Sequence, residues 1–384
     1  MKKKIGIIDT LGAHGGSFHL YTFGQAMGLI KNGVSVNLYT NNETNNPNIP
    51  ELGFYSFYIN IFKSKYNFIN GLRWIFGSLI SILHARISGI SIFHFHIFYT
   101  NFLILFNVLL VKLLFGKIVL TIHDVTSFAE AENNKPTIIN KLVYRISNLI
   151  LTHNKFSLEE INKRNSKIHK KIIIIPHGNF IPFISNDFDM KFSREYLKIP
   201  LDKKVLLFFG MIKKVKGLEI LLKSLKEVIH KHPNVLLVIA GRVWENDFST
   251  YQNIIDKNNL NDYCIIHNRY IPQNEVGYYY KSADLVVLPY KKIYQSGVLM
   301  MSLSYEVPVL VSDLPPLMEI INDNENGFLF DSENINSLSD KLLEILSNKD
   351  LLDKVKLKGP EIIKNEYNWI KIGSMTCKAY KSIY

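Results

Sequence analysis

Short apolar runs bounded by glycine and polar residues alternate along this chain with longer stretches of helical spacing. Residues 5–8 read as a buried strand, the glycine-rich turn 11–17 follows, and an amphipathic helix runs to about Ile30. Gly33 ends that helix and residues 34–40 form the next strand. Strand, turn, helix and strand make a βαβ unit, which predicts a parallel sheet wound with helices. Residues 41–50 read as a polar loop, with further strands at 90–96, 118–123, 149–153 and 171–176. A second series begins at 205–209 and continues at 235–240, 264–267, 285–288 and 307–312. No fixed-period repeat or coiled-coil heptad interrupts the pattern. For 384 residues the expectation is α/β, two doubly wound Rossmann-like domains with a junction near 179–187. The bounds drawn are 1–182, 183–365 and a closing segment 366–384.

Two apolar stretches test that pattern. Residues 97–115 are apolar enough to raise a membrane span, but Asn101, Asn107 and Lys112 interrupt them. They lie between two predicted strands, so a crossover helix buried against the sheet is expected. Residues 54–87 interleave Phe, Tyr and Trp74 with Lys63, Lys65, Arg73 and Arg86. One reading is a partly buried helix pair with a solvated basic face. The other is an interfacial segment that dips aromatics among anionic lipid head groups.

Charge sharpens the second reading. The chain has 45 Lys/Arg and 33 Asp/Glu, a net +12. Residues 1–180 hold 19 basic and 8 acidic side chains, while the remainder hold 26 and 25. Between Glu51 and Asp124 there is no carboxylate. Such a one-sided field implies an anionic partner for the first half. Basic residues interleaved with apolar runs, without a recognition motif, argue against nucleic acid. Cys264 and Cys377 form neither a disulfide framework nor a zinc spacing. The opening Met1–Lys4 lacks the apolar core of a signal peptide, so a cytoplasmic protein is expected, peripheral on the inner face of the membrane.

Three places carry candidate chemistry. After the strand ending near Gly210 comes a basic loop with Lys213 and Lys216, and a helix starts after Gly217. Amides at a helix start attract phosphate, and two lysines three residues apart can close on one diphosphate; the alternative is an ordinary solvated loop. Ser296-Gly297-Val298 opens another helix after the strand ending at Pro289-Tyr290, with Gly297 allowing close approach to backbone. Both loops fall at the carboxyl edge of one sheet, where open α/β sheets bind ligands. In the first half, Gly15-Gly16 occupies the first βα turn and His123-Asp124 ends a strand. That pair is a candidate acid/base or hydroxyl-binding couple, or a structural turn. The dinucleotide fingerprint is absent. His94 and His96 alternate on one strand with no third metal ligand in view.

At these residues the sequence resembles the GT-B glycosyltransferases, specifically the large retaining family 4 (glycosyl transferases group 1). Residues 15–40 resemble the family's opening and residues 208–217 its donor-phosphate loop. Tyr270-Ile271 onward, residues 283–290, Ser296–Val298, residues 307–313 and residues 325–330 follow in the family's order. Tyr367-Asn368-Trp369 and Tyr380 resemble its last helix, which crosses back to the first domain. The paired glutamates common in the family correspond to Ile293 and Met301, and its loop arginine to Met211. A related subgroup places a basic residue where Lys213 stands. Glu319 matches a frequent family glutamate and is expected to stabilise a loop or helix start.

The resemblance implies two domains facing a cleft. A nucleotide-diphosphate sugar would sit on the second domain at Gly210, Tyr270, Ile271, Ser296, Gly297, Val298 and Glu319, with Gly15 and Gly16 of the first. Lys213, Lys216 and the amides near Gly297 would stabilise the leaving diphosphate, with no metal or other cofactor required. In a retaining reaction the leaving phosphate takes the acceptor proton and His123 contacts the sugar. In an inverting one His123 or Asp124 is the base. The expected acceptor is a lipid-linked saccharide used in surface polysaccharide synthesis, with Lys63, Lys65, Arg73, Trp74 and Arg86 facing membrane or acceptor. The competing readings are a silent membrane-associated partner of an active transferase and a nucleotide-sugar epimerase.

Overall fold

In the computed structural model, which describes residues 4–14, 16–126, 136–165, 172–185, 188–244 and 247–383, every strand pairing is parallel. The chain forms two compact units, Met1–Gly178 with Tyr367–Tyr384, and Asn179–Glu366.

The first unit runs β1 (Lys4–Asp9), α1 (Phe18–Lys31), β2 (Ser35–Asn41), β3 (Leu52–Tyr58), α2 (Asn67–Ile87), β4 (Ile92–Ile97), α3 (Phe102–Leu113), β5 (Lys117–Ile122), α4 (Ile138–Ile146), β6 (Leu149–Thr152), α5 (Lys155–Arg164) and β7 (Ile172–Ile174). Its sheet order is β3-β2-β1-β4-β5-β6-β7. Strands such as β5 are apolar on both faces because helices cover both sides of a parallel sheet.

The second unit runs α6 (Met190–Tyr196), β8 (Lys204–Phe209), α7 (Leu218–Lys231), β9 (Val235–Ala240), α8 (Ser249–Lys257), β10 (Cys264–His267), α9 (Gln273–Ser282), β11 (Leu285–Leu288), α10 (Gly297–Ser304), β12 (Val309–Ser312), α11 (Pro315–Met318), β13 (Phe328–Phe330), α12 (Ile335–Ser347) and α13 (Lys349–Glu366). Its order is β10-β9-β8-β11-β12-β13. The strands β3 and β13 extend the two predicted series. Both are short or aromatic-rich edge strands that alternation alone does not mark.

Residues 54–87 are not a helix pair. Phe54, Tyr55, Phe57 and Tyr58 belong to β3, where aromatic side chains suit a pleated surface, and pair in register with β2. Only α2 is helical there, and it packs over β3 and α3. The crossover helix α3 buries Asn107, Val108 and Val111 but leaves Phe102 and Leu113 largely exposed, so it is covered on one face only.

The closing helix α14 (Trp369–Lys381) packs on α1 within the first unit. The contact requires small residues. A Cβ at Gly28 would lie 2.1 Å from the Trp369 carbonyl oxygen, and one at Gly373 would lie 2.2 Å from the Gly28 oxygen. The Trp369 indole fills the space beside Gly24 and Gly178 and is almost wholly buried.

Candidate functional site

In the second unit, β8 ends at Phe209 and the chain turns through Gly210 into the loop that carries the two lysines. Ile212 makes a parallel bridge to Val243, and its carbonyl accepts from the Trp244 amide at 3.0 Å. Residues Lys214–Lys216 form a single 3-10 turn. Gly217 then takes φ +67 before α7 begins, and a Cβ there would meet the Pro289 carbonyl oxygen at 1.8 Å. Glycine is required on both counts.

That near-contact joins the two predicted loops. The Lys291 amide donates to the Val215 carbonyl at 2.9 Å, and Lys291 pairs with Glu219 at the start of α7. A Cβ at Gly210 would lie 3.3 Å from a methyl of Val298. The Lys216 ammonium stands 3.6 Å from the Tyr290 ring centroid, and the Lys213 ammonium 4.6 Å from that of Trp244. Ser296 caps α10, its Oγ accepting from the Leu299 amide at 3.1 Å. The cap leaves the amides of Gly297 and Val298 among those that a helix start does not pair internally. The Ser312 hydroxyl donates to the Tyr290 carbonyl at 2.6 Å, fixing the chain between strand and turn. Gly210, Lys216, Ser296, Gly297 and Val298 therefore lie on one small surface at the carboxyl edge of the sheet. Cations and amide dipoles there suit an anion.

Other expected donor residues sit on further connections of the second unit. Tyr270 is half-exposed and Ile271 buried in the connection after β10, two strands from β8. Glu319 does not begin a helix. It follows α11, and its amide bonds back to the Pro315 carbonyl at 3.2 Å. Ile293 and Met301 are both buried apolar side chains.

In the first unit, Gly15 falls outside the described residues, and Gly16 stands in open space at the turn before α1. The expected His123–Asp124 couple takes a different form. His123 is buried, and each ring nitrogen is 3.0 Å from another histidine: Nε2 from His96 Nδ1 and Nδ1 from His153 Nε2. Asp124 is half-buried and lines a separate recess. The reason is topological. β4, β5 and β6 are neighbours, so residues at their carboxyl ends meet side by side.

The histidine row has a definite proton arrangement. His153 Nδ1 donates to the Ile175 carbonyl at 2.9 Å, so its Nε2 accepts from His123, whose Nε2 accepts from His96 in turn. His96 Nε2 faces the Gln25 carboxamide at 3.0 Å. Three neutral rings supply one proton each for four links, so the neutral row closes when Gln25 presents its NH2 group. Burial disfavours the charged form of every ring. His94 and His177 are lowered to about 3 and His153 to about 4, while His96 and His123 fall well below the usual range. His94 stacks on His96, with ring centroids 4.9 Å apart, and is bonded outside the row to Thr121 and to the Tyr380 hydroxyl, each at 2.6 Å. Among the described residues no three His, Cys, Asp or Glu side chains converge as a metal site.

The expected lipid-facing set divides. Lys63 and Lys65 are exposed. Arg73 donates to the Asn60 carbonyl at 3.0 Å, and Arg86 donates to that of Ile90. Trp74 does not face outward. It is buried beneath α2 against Tyr58, because it lies on the side of the helix that covers β3. The outward side instead carries Phe68, Leu72, Phe76, Ile80, Leu83 and Ile87, all exposed and spaced three or four residues apart. By length and composition α2 is apolar enough to cross a membrane, although it is packed on the first unit's sheet.

The basic loop and capped turn of the second unit fall inside a recognised family segment. Residues 189–361 match the family Glycosyl transferases group 1. An uncharacterized glycosyltransferase of Methanocaldococcus jannaschii is 26% identical over 249 residues, 60% of this chain and 59% of its own length. The capsular polysaccharide biosynthesis glycosyltransferase CapM of Staphylococcus aureus is 24% identical over 213 residues, 53% of this chain and 55% of its own. The chain thus spans less than two thirds of these curated relatives. Among solved structures, sucrose-phosphate synthase from Thermosynechococcus elongatus superposes with a TM-score of 0.77 at 16% identity, covering 99% of both chains. Anabaena HepE in complex with UDP-glucose gives 0.76 at 14% identity, also covering 99% of both. The fold is that of GT-B glycosyltransferases.

Proposed function

We propose that this chain is a glycosyltransferase that moves a sugar from a nucleotide-diphosphate donor to a saccharide acceptor. The observation that carries the reading is the contact between the Gly210–Gly217 loop and the Ser296–Val298 turn. It gathers two lysines and a capped helix start at one sheet edge, within the segment that matches the family. In this reading the donor diphosphate lies on the Gly297 and Val298 amides, with Lys216 and Lys213 closing over it. As the glycosidic bond breaks, negative charge grows on the leaving phosphate, and prepositioned donors and cations stabilise that state more than the bound donor. Lys213 and Lys216 supply the charge without a metal. For a retaining reaction, the leaving phosphate accepts the acceptor hydroxyl proton on the same face of the sugar. His123, held neutral by burial, then serves to shape the first unit's edge instead of acting as a base.

The exposed apolar side of α2, with Lys63 and Lys65 beside it and no carboxylate between Glu51 and Asp124, supports a lipid-linked acceptor met at an anionic membrane surface. The test is a donor screen on the purified protein, reading nucleoside diphosphate release with and without polyprenyl-diphosphate saccharides. Acceptor-dependent release from one donor is expected. No release from any UDP-, GDP- or ADP-sugar would favour a silent partner instead.

A further inference from the structure

We propose that Tyr290 is a positioning residue whose ring face holds the Lys216 ammonium in place at the carboxyl edge of the second sheet. Register sets the two residues opposite each other. The Lys291 amide donates to the Val215 carbonyl at 2.9 Å, and the Pro289 carbonyl oxygen occupies the place of a Gly217 side chain. These two stitches bracket one residue on each segment, Lys216 between Val215 and Gly217, Tyr290 between Pro289 and Lys291. Lys216 also ends the 3-10 turn, its amide donating to the Lys213 carbonyl at 2.8 Å. Its ammonium stands 3.6 Å from the centroid of the Tyr290 ring, a direct cation–π contact.

The ring is itself held. Tyr290 is 1% exposed, and its carbonyl accepts from the Ser312 hydroxyl at 2.6 Å and from the Ser332 hydroxyl at 3.2 Å. Burial raises the pKa of the phenol, so the group under the lysine is a neutral π face. The nearby Glu219 carboxylate is engaged by Lys291. A carboxylate would hold an ammonium but neutralise it, whereas a ring face attracts it and leaves its charge for an incoming anion. Lysine carries that charge on a flexible four-carbon stem. Ordering the stem beforehand lets the cation act on charge that develops only as a bond breaks. Lys213 is held less firmly, since its ammonium is 4.6 Å from the centroid of Trp244, which is 42% exposed to water. The benefit to a departing diphosphate rests on the transferase reading; the holding of Lys216 does not.

The test is NMR of the full chain with isotope-labelled lysine, together with titration of inorganic pyrophosphate. The Lys216 ε-methylene signal, identified by its absence from Lys216→Arg, should lie upfield of the exposed lysines in wild type and in Tyr290→Phe. In Tyr290→Met, which keeps bulk without an aromatic face, it should join them. Pyrophosphate should bind Tyr290→Phe within twofold of wild type and Tyr290→Met at least fivefold more weakly. With Lys216→Ala already present, Tyr290→Met should weaken binding no further. An unshifted wild-type signal would overturn the proposal whether or not any variant folds. So would a fivefold loss that persists beside Lys216→Ala, because the tyrosine would then act on the loop without the lysine. A shifted signal in a protein that binds neither pyrophosphate nor any UDP-, GDP- or ADP-sugar would leave the holding in place and defeat the transferase reading. Sugar transfer by a wild type whose Lys216 signal is unshifted would do the reverse.

Discussion

Gly217 shows how closely this surface is specified by single positions. Its left-handed backbone costs a non-glycine residue about 1–2 kcal/mol, and the Pro289 carbonyl leaves no room for a methyl. Gly33 also has positive φ, at +79, but a Cβ there meets nothing within 4 Å. Gly217→Ala should therefore lower the thermal midpoint clearly more than Gly33→Ala and weaken nucleoside diphosphate binding, which Gly33→Ala should leave alone. Equal midpoints for the two variants would show that the Pro289 contact does not matter. The sequence alone pointed to Gly217, Lys213, Lys216 and Ser296, because strand ends, turn glycines and helix caps have local signatures. It did not reveal Tyr290 and Trp244 as the rings beneath the lysines, nor His96 and His153 as partners of His123. Those pairings join positions far apart in the chain, and only the strand order brings them together.

Elements show the same division. Repeated apolar runs announced the two parallel series, but β3 was hidden inside an aromatic stretch whose composition also suits a membrane surface. The basic and aromatic residues of 54–87 were visible, while their facing was not. Trp74 turned inward, whereas the exposed row from Phe68 to Ile87 turned out. This row gives α2 a direct test. Vesicles with anionic lipid should bind the protein more tightly than neutral ones, and added salt should weaken binding. Phe76→Asp with Ile80→Asp, both at exposed positions, should reduce that binding at least tenfold with the thermal midpoint unchanged. Wild-type partitioning by the double variant would remove α2 from the contact.

For the whole molecule, the buried histidines predict a sharp sensitivity to acid. Their folded pKa values lie below the unfolded value of 6.5, so the unfolded chain takes up protons that the folded chain refuses. Their contribution to stability is complete above pH 6.5 and is lost as pH falls from there toward the folded values of about 3 to 4. Each ring accounts for up to about 1.4 kcal/mol per pH unit in that window. Asp9 acts in the opposite sense, because burial raises its carboxyl, but it is one group against five and titrates from a lower starting value. Urea unfolding at pH 7.5 and 5.5 should differ by several kcal/mol, and stability should level off above pH 7. A flat profile across pH 5.5–7.5 would mean the rings are hydrated or charged in the folded protein. Neutral rings also bear on the chemistry, since His123 bonded through both nitrogens is poorly placed to take a proton from an acceptor.

The claim on which the functional account turns is that Lys216 stabilises the charge of a departing diphosphate. Once a donor is found, the decisive measurement is the turnover of Lys216→Ala beside wild type at saturating donor, with circular dichroism confirming the fold. The account predicts a fall in kcat on the order of 100-fold or more, about 2.7 kcal/mol of lost transition-state stabilisation, with KM for the donor changed much less. A variant that transfers sugar within threefold of the wild-type rate would contradict it.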